Sequence, residues 1–274
     1  MAAAIAGATV VGVIAWFAVP RDRSTAVDLD EAIDRYRSST VPTTPVSTTD
    51  RTGGAEPTST SSSTTVLAVP TLPDPGVYRY DTSGGESIDA LGGVRHDYPA
   101  ISTITVTDDA ASGGCGRTLR WDVLEERYEI WRLCLDGAVV AWQPTSLQYH
   151  EFFEQETPED VTCDVAVPMN VPGSGPVRQQ CILGERDWSP TWEHLGTRDL
   201  SVDGEPVTVH HVRMRIDDTD DLPESYVQDW FVRDDGLPVE VTVTKRSVSP
   251  NPIGGVVEYV ETYRLDLISF DPVR

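Results

Sequence analysis

DWFVRDDGLPVEVTV, residues 229–243, reads as two strands and a turn. Residues 228–233 and 239–244 are short runs rich in apolar and aromatic side chains, and Asp234-Asp235-Gly236 between them is a hairpin signal. The same grammar repeats on both sides. Upstream, residues 200–202 and 207–216 flank Asp203-Gly204. Downstream, VVEYVETYRLDL (256–267) alternates, with Val257, Tyr259, Glu261, Tyr263, Leu265 and Leu267 on one mostly apolar face.

Further back, residues 128–134 and 138–142 are joined by Asp136-Gly137, and residues 118–123 place Leu119, Trp121 and Val123 opposite Arg120 and Asp122. Residues 102–107 and 76–81 read as further strands, while TSLQYHEFFEQE (145–156) suits a helix or a strand equally. No 3.6-residue periodicity is sustained elsewhere. The expectation is a mainly β domain over residues 76–272, a single large curved antiparallel sheet, or half-barrel. Such a sheet must cover its concave face with its own side chains or with a ligand.

The chain has 274 residues, 39% of them hydrophobic, enough for a real core. Its formal charge is −23, which repels phosphate backbones and argues against nucleic acid as a partner. Cys115, Cys134, Cys163 and Cys181 have neither CxxC nor zinc-finger spacing. Four cysteines behind an apolar leader imply two disulfides in an oxidising compartment. Three connectivities are open, and the neighbour pairs Cys115–Cys134 and Cys163–Cys181 are preferred.

The leader, MAAAIAGATVVGVIAWFAV (1–19), carries no charge and reaches the lower length of a membrane span, with Trp16 and Phe17 where an aromatic belt would sit. Those aromatics also spoil a cleavage site, so residues 1–20 read as an uncleaved signal anchor. Arg21 and Arg23 follow the run and no basic residue precedes it, which by the positive-inside rule opposes an external domain. The cysteines and the linker argue for the outside, and the reading follows them. Within residues 21–37, DLDEAIDRYR (28–37) predicts a short helix capped by Asp28, either a solvated spacer or a docking helix for a membrane partner. Residues 38–75, rich in Ser, Thr and Pro, predict a disordered tether that reaches on the order of 100 Å when extended.

The C-terminal half resembles a known family. The Asp203-Gly204 hairpin, a strand, DWFVRDDGLPVEVTV and a last strand ending in Tyr, Leu and Pro are similar to a unit of the LolA/LolB/LppX-like superfamily. The resemblance implies a half-barrel outside the cytoplasm with a hydrophobic cavity for acylated lipids or lipoproteins. The N-terminal domains of some anti-sigma-factor regulators share that fold. The anchor-and-linker layout is similar to that of actinobacterial membrane-anchored secreted proteins. The chain departs from the carrier pattern in lacking a lipobox Cys, in having four cysteines and in its uncleaved anchor.

Individual residues give few catalytic signals. HExxH, GxSxG and Walker motifs are missing. The neighbours His210 and His211 would point to opposite faces of a strand, which hinders a shared metal. Asp217, Asp218, Asp220 and Asp221 read as a solvated acidic turn rather than a Ca²⁺ loop. The pairs Gly84–Gly85, Gly92–Gly93 and Gly113–Gly114 read as turns. Trp121, Trp131, Trp142, Trp188, Trp192 and Trp230 either fill a core or line a cavity. Trp121 and Trp230, each mid-strand, are the expected ligand contacts. The expected function is a non-catalytic, cofactor-free module for a hydrophobic or lipidic ligand. The alternative is a sensory or protein-interaction ectodomain with a cell-envelope partner. A cavity of several hundred Å³ would favour the first and a filled core the second.

Overall fold

A computed structural model describes residues 24–39, 71–90, 93–109, 116–143, 145–152, 155–183, 186–217, 225–250 and 255–274. The apolar leader, residues 40–70 of the linker, Cys115, Gly92, Gly113, Gly114, Asp218, Asp220 and Asp221 lie outside the described residues. Among those described, no helix is long and apolar enough to cross a membrane.

The described strands form one large antiparallel sheet, organised around β1 (Gly76–Ile88). From one edge of β1 the pairing runs through β3 (Ile101–Asp109), β4 (Gly116–Leu124), β5 (Arg127–Asp136), β7 (Thr145–Phe152), β8 (Gln155–Cys163), β11 (Cys181–Leu183) and β12 (Arg186–Trp188). From the other edge it runs through β17 (Val256–Leu267), β16 (Pro238–Pro250), β15 (Ser225–Val232), β14 (Glu205–Asp217), β13 (Thr191–Val202) and β10 (Val177–Arg178). The far part of β1 exchanges β3 for β2 (Val94–Asp97), and the far part of β5 exchanges β7 for β6 (Val139–Trp142), which pairs with β9 (Val167–Pro168).

Curvature brings the inner faces of the two wings together. Trp121 on β4 meets Tyr263 on β17 at 4.5 Å between ring centroids. Trp131 on β5 meets Trp230 on β15 at 5.1 Å, and Trp142 on β6 meets Trp192 on β13 at 5.7 Å. One continuous apolar core results. The expected turn at Gly84–Gly85 is instead the middle of β1. Gly84 has φ 116°, and a Cβ there would lie 2.0 Å from the Thr262 carbonyl oxygen. Only glycine lets β1 press this closely on β17 where it passes from β3 to β2.

The Asp203-Gly204 turn has both residues at positive φ, 50° and 82°, as a two-residue hairpin loop requires. Residues 145–152, ambiguous in sequence, are strand β7. Cys163 and Cys181 are directly opposed on β8 and β11 and form a disulfide. Cys134 is also disulfide-bonded.

Helix α1 (Leu29–Ser39) begins where expected. The Asp28 carboxylate accepts from the Glu31 N–H at 2.8 Å, and Glu31 accepts from Arg35 one turn later. The helix packs on the outer face of the sheet's own β1 and β3, burying Ala32 and Ile33 against Val77.

Candidate functional site

The inner face of the sheet has two chemically different ends. The aromatic end gathers Trp131, Trp142, Trp192 and Trp230, arranged edge-to-face or stacked. Trp121 and Trp230 are fully buried among protein side chains. The Trp121 indole donates to Ser102 Oγ at 2.9 Å and the Trp230 indole to Gln228 Oε1 at 3.0 Å, so each polar edge is satisfied internally. Beside them lies a cavity of about 50 Å³, walled by Trp131, Trp142, Trp188, Trp192, Met214 and Tyr226. Pockets that bury drug-sized ligands have volumes of roughly 300–1,000 Å³. Trp121 and Trp230 are not in that wall. Trp142 and Trp188 are wall residues, and their buried indole N–H groups make no hydrogen bond among the described residues. A wider depression of about 340 Å³ opens on the surface at the ends of β1, β2 and β17, with Ile88, Val94, Val260, Asp89, Arg95 and Glu258 in its rim.

The ionic end is built by register. Glu86 on β1 stands opposite His96 on β2 and Glu261 on β17; Glu261 stands opposite Lys245 on β16. On the facing wing Arg127 pairs with His150, and Glu129 with Gln148. Glu86, His96, Arg127, Glu129 and Glu261 are all completely buried. Glu86 lies 2.9 Å from Nδ1 of both His96 and His150 and accepts from the Tyr259 hydroxyl at 2.8 Å. Arg127 bridges Glu129 and Glu261, donating to Glu261 Oε1 through Nε at 3.0 Å. The Tyr98 hydroxyl reaches the same oxygen at 2.6 Å.

Burial alone would raise the Glu86 carboxyl. The hydrogen bonds from His150 and His96 and the charge of Arg127 outweigh it and hold the group well below the usual carboxylate range. Burial also disfavours a charged Arg127, but Glu261 and Glu129 reverse this and keep it protonated. Burial, then the charges of Glu261 and Glu86, push Tyr98 and Tyr259 well up, so both serve as donors. Three carboxylates thus share this end with Arg127 and Lys245, with two imidazoles beside them. Neither cavity is lined by Glu86, Arg127 or Glu261.

His210 and His211 do point to opposite faces. His210 sits between His194, at 3.3 Å, and Asp234, at 2.6 Å; His211 meets Asp229 at 2.5 Å. The Gly196 N–H donates to His194 Nδ1 at 3.1 Å, so every ring nitrogen of His194 and His210 is engaged. Burial first, then the neighbouring His210 and His211, lowers the pKa of His194. Among the described residues no group of three or more His, Cys, Asp or Glu could hold a metal ion.

The alternation of apolar residues does not disclose the ionic cluster. Its one visible signal was Glu261, a charge on the otherwise apolar face of 256–267. Comparison with protein-family models, curated proteins and solved structures returns no match.

Proposed function

We propose that the protein is a membrane-anchored extracytoplasmic ectodomain that works through its outer surface, as a sensory or protein-interaction module of the cell envelope. The carrying observation is the filled inner face. Trp121 and Trp230 are completely buried, and the adjoining cavity holds about 50 Å³. On this reading the half-barrel's own aromatic and ionic side chains occupy the place that a lipid takes in a carrier. The location rests on the apolar leader, and the Cys163–Cys181 disulfide supports an oxidising compartment. Ile182 and Val165, beside that disulfide in sequence, are 54% and 41% exposed and offer apolar contact to a partner.

The competing reading, a binder of an apolar or lipidic ligand contacted by Trp121 and Trp230, requires the core to open. Titration of the folded domain with a fluorescent fatty acid separates the two. The interaction module gives no saturable signal. Saturable binding that weakens in a folded Trp121→Phe or Trp230→Phe variant restores the lipid reading.

A further inference from the structure

The Ser/Thr/Pro-rich residues 40–70 stand between two segments that the fold holds in place. Before them, Val27, Ala32 and Ile33 are buried, and Thr25–Ala26 adds to the sheet: Ala26 bridges Leu124, and the Glu125 N–H donates to the Thr25 carbonyl at 2.9 Å. The Thr25 N–H donates to the Glu126 carboxylate at 2.9 Å. Arg35 reaches Asp122 at 2.6 Å, and Asp122 is almost completely buried. Beneath α1 lie outward-facing positions that are nonetheless buried: Val77, its register partner Thr105, and Thr103, the register partner of Asp122. Without the helix this strip of Val, Thr and Asp would be open to water.

The two flanks also meet at the C-terminus. Arg37 donates to the Arg274 carbonyl at 3.1 Å, and Arg274 donates to the Pro75 carbonyl at 3.1 Å. A segment able to span roughly 100 Å when extended therefore starts and finishes at one point of one domain. Between the end of the apolar run at Val19 and Ser24 only residues 20–23 intervene. At ~3.5 Å per residue the five Cα–Cα steps from Val19 to Ser24 reach about 17 Å at most.

We propose that the domain is held at the membrane through the non-covalent seat of residues 25–37 on the sheet, and not through its covalent connection by residues 40–70. The domain then stands directly over the bilayer with its β4–β5 turn, Glu125–Glu126, nearest the surface. The membrane part of this inference rests on the anchor reading above; the seat does not.

The test inserts a specific protease site between Gly53 and Gly54 of the full chain, expressed in membranes. After cleavage in native buffer, fragment 54–274 should still sediment with the membranes. In an Ile33→Asp chain, cleavage should free it. Release from the unaltered chain overturns the proposal, because a tether must let go when cut. Retention in the Ile33→Asp chain overturns it too, because something other than the helix seat is then holding. An uncut chain found in the soluble fraction sinks the anchor reading instead. The seat is then read by gel filtration of the cut chain: co-elution of the fragments supports it and separation defeats it.

Discussion

The aromatic and ionic ends of the inner face are made by the same alternation on the same strands, yet they hold together differently. On β5, Trp131 and Leu133 point into the aromatic end, while Arg127 and Glu129, four and two residues before Trp131, point into the ionic one. The aromatic end is stabilised by area: each ring contributes by contact, and a lost ring is a lost contact. In the ionic end every member depends on another's charge. Removing one leaves an uncompensated buried ion, and removing the set together need cost little.

This difference can be broken experimentally. Arg127→Met should destabilise the fold by about 3–5 kcal/mol, because Glu129 and Glu261 lose their shared cation. Adding Glu129→Leu, Glu261→Leu and Tyr98→Phe should recover much of that loss in urea unfolding. Trp230→Ala should also cost about 3–5 kcal/mol, but no second truncation among Trp131, Trp142 and Trp192 should restore it. If the Arg127 loss persists in the fourfold variant, or a Trp pair compensates, the contrast between the ends fails.

Acid sharpens the same contrast. The folded-state pKa of Glu86 is depressed. Its contribution to stability is therefore complete above the unfolded carboxylate value, about 4.3, and is lost as pH falls below it. The melting temperature should drop more steeply as pH falls below about 4.3 in wild type than in Glu86→Gln. Equal slopes would show that the His96–Glu86–His150 arrangement carries no acid-sensitive stability.

The two ends also differ in how far the sequence reveals them. Where the inward residues are apolar, alternation was readable: residues 256–267 are strand β17 as expected, and the Asp203-Gly204 and Asp136-Gly137 hairpins turn where their glycines allow. Where the inward residues are polar, the signal inverted. β7 turns Gln148 and His150 inward, so its hydrophobic pattern does not tell a strand from a helix. The end of β1 carries Glu86 inward behind Gly84–Gly85, so it read as a turn. The first half of β13 is hidden in the sequence for a related reason. Its register slips between His194 and Gly196, a bulge that breaks strict alternation. Helix α1 was legible from its cap, but its seat was not, because the receiving strip of Val77, Thr105 and Asp122 is an ordinary outward strand face until the helix covers it.

The central claim is that this inner face is closed by the protein's own side chains. Native mass spectrometry of the purified domain, residues 24–274, tests it most directly. The account predicts the mass of the disulfide-bonded chain alone. A stoichiometric lipid adduct that survives gentle ionisation and disappears on unfolding would contradict it.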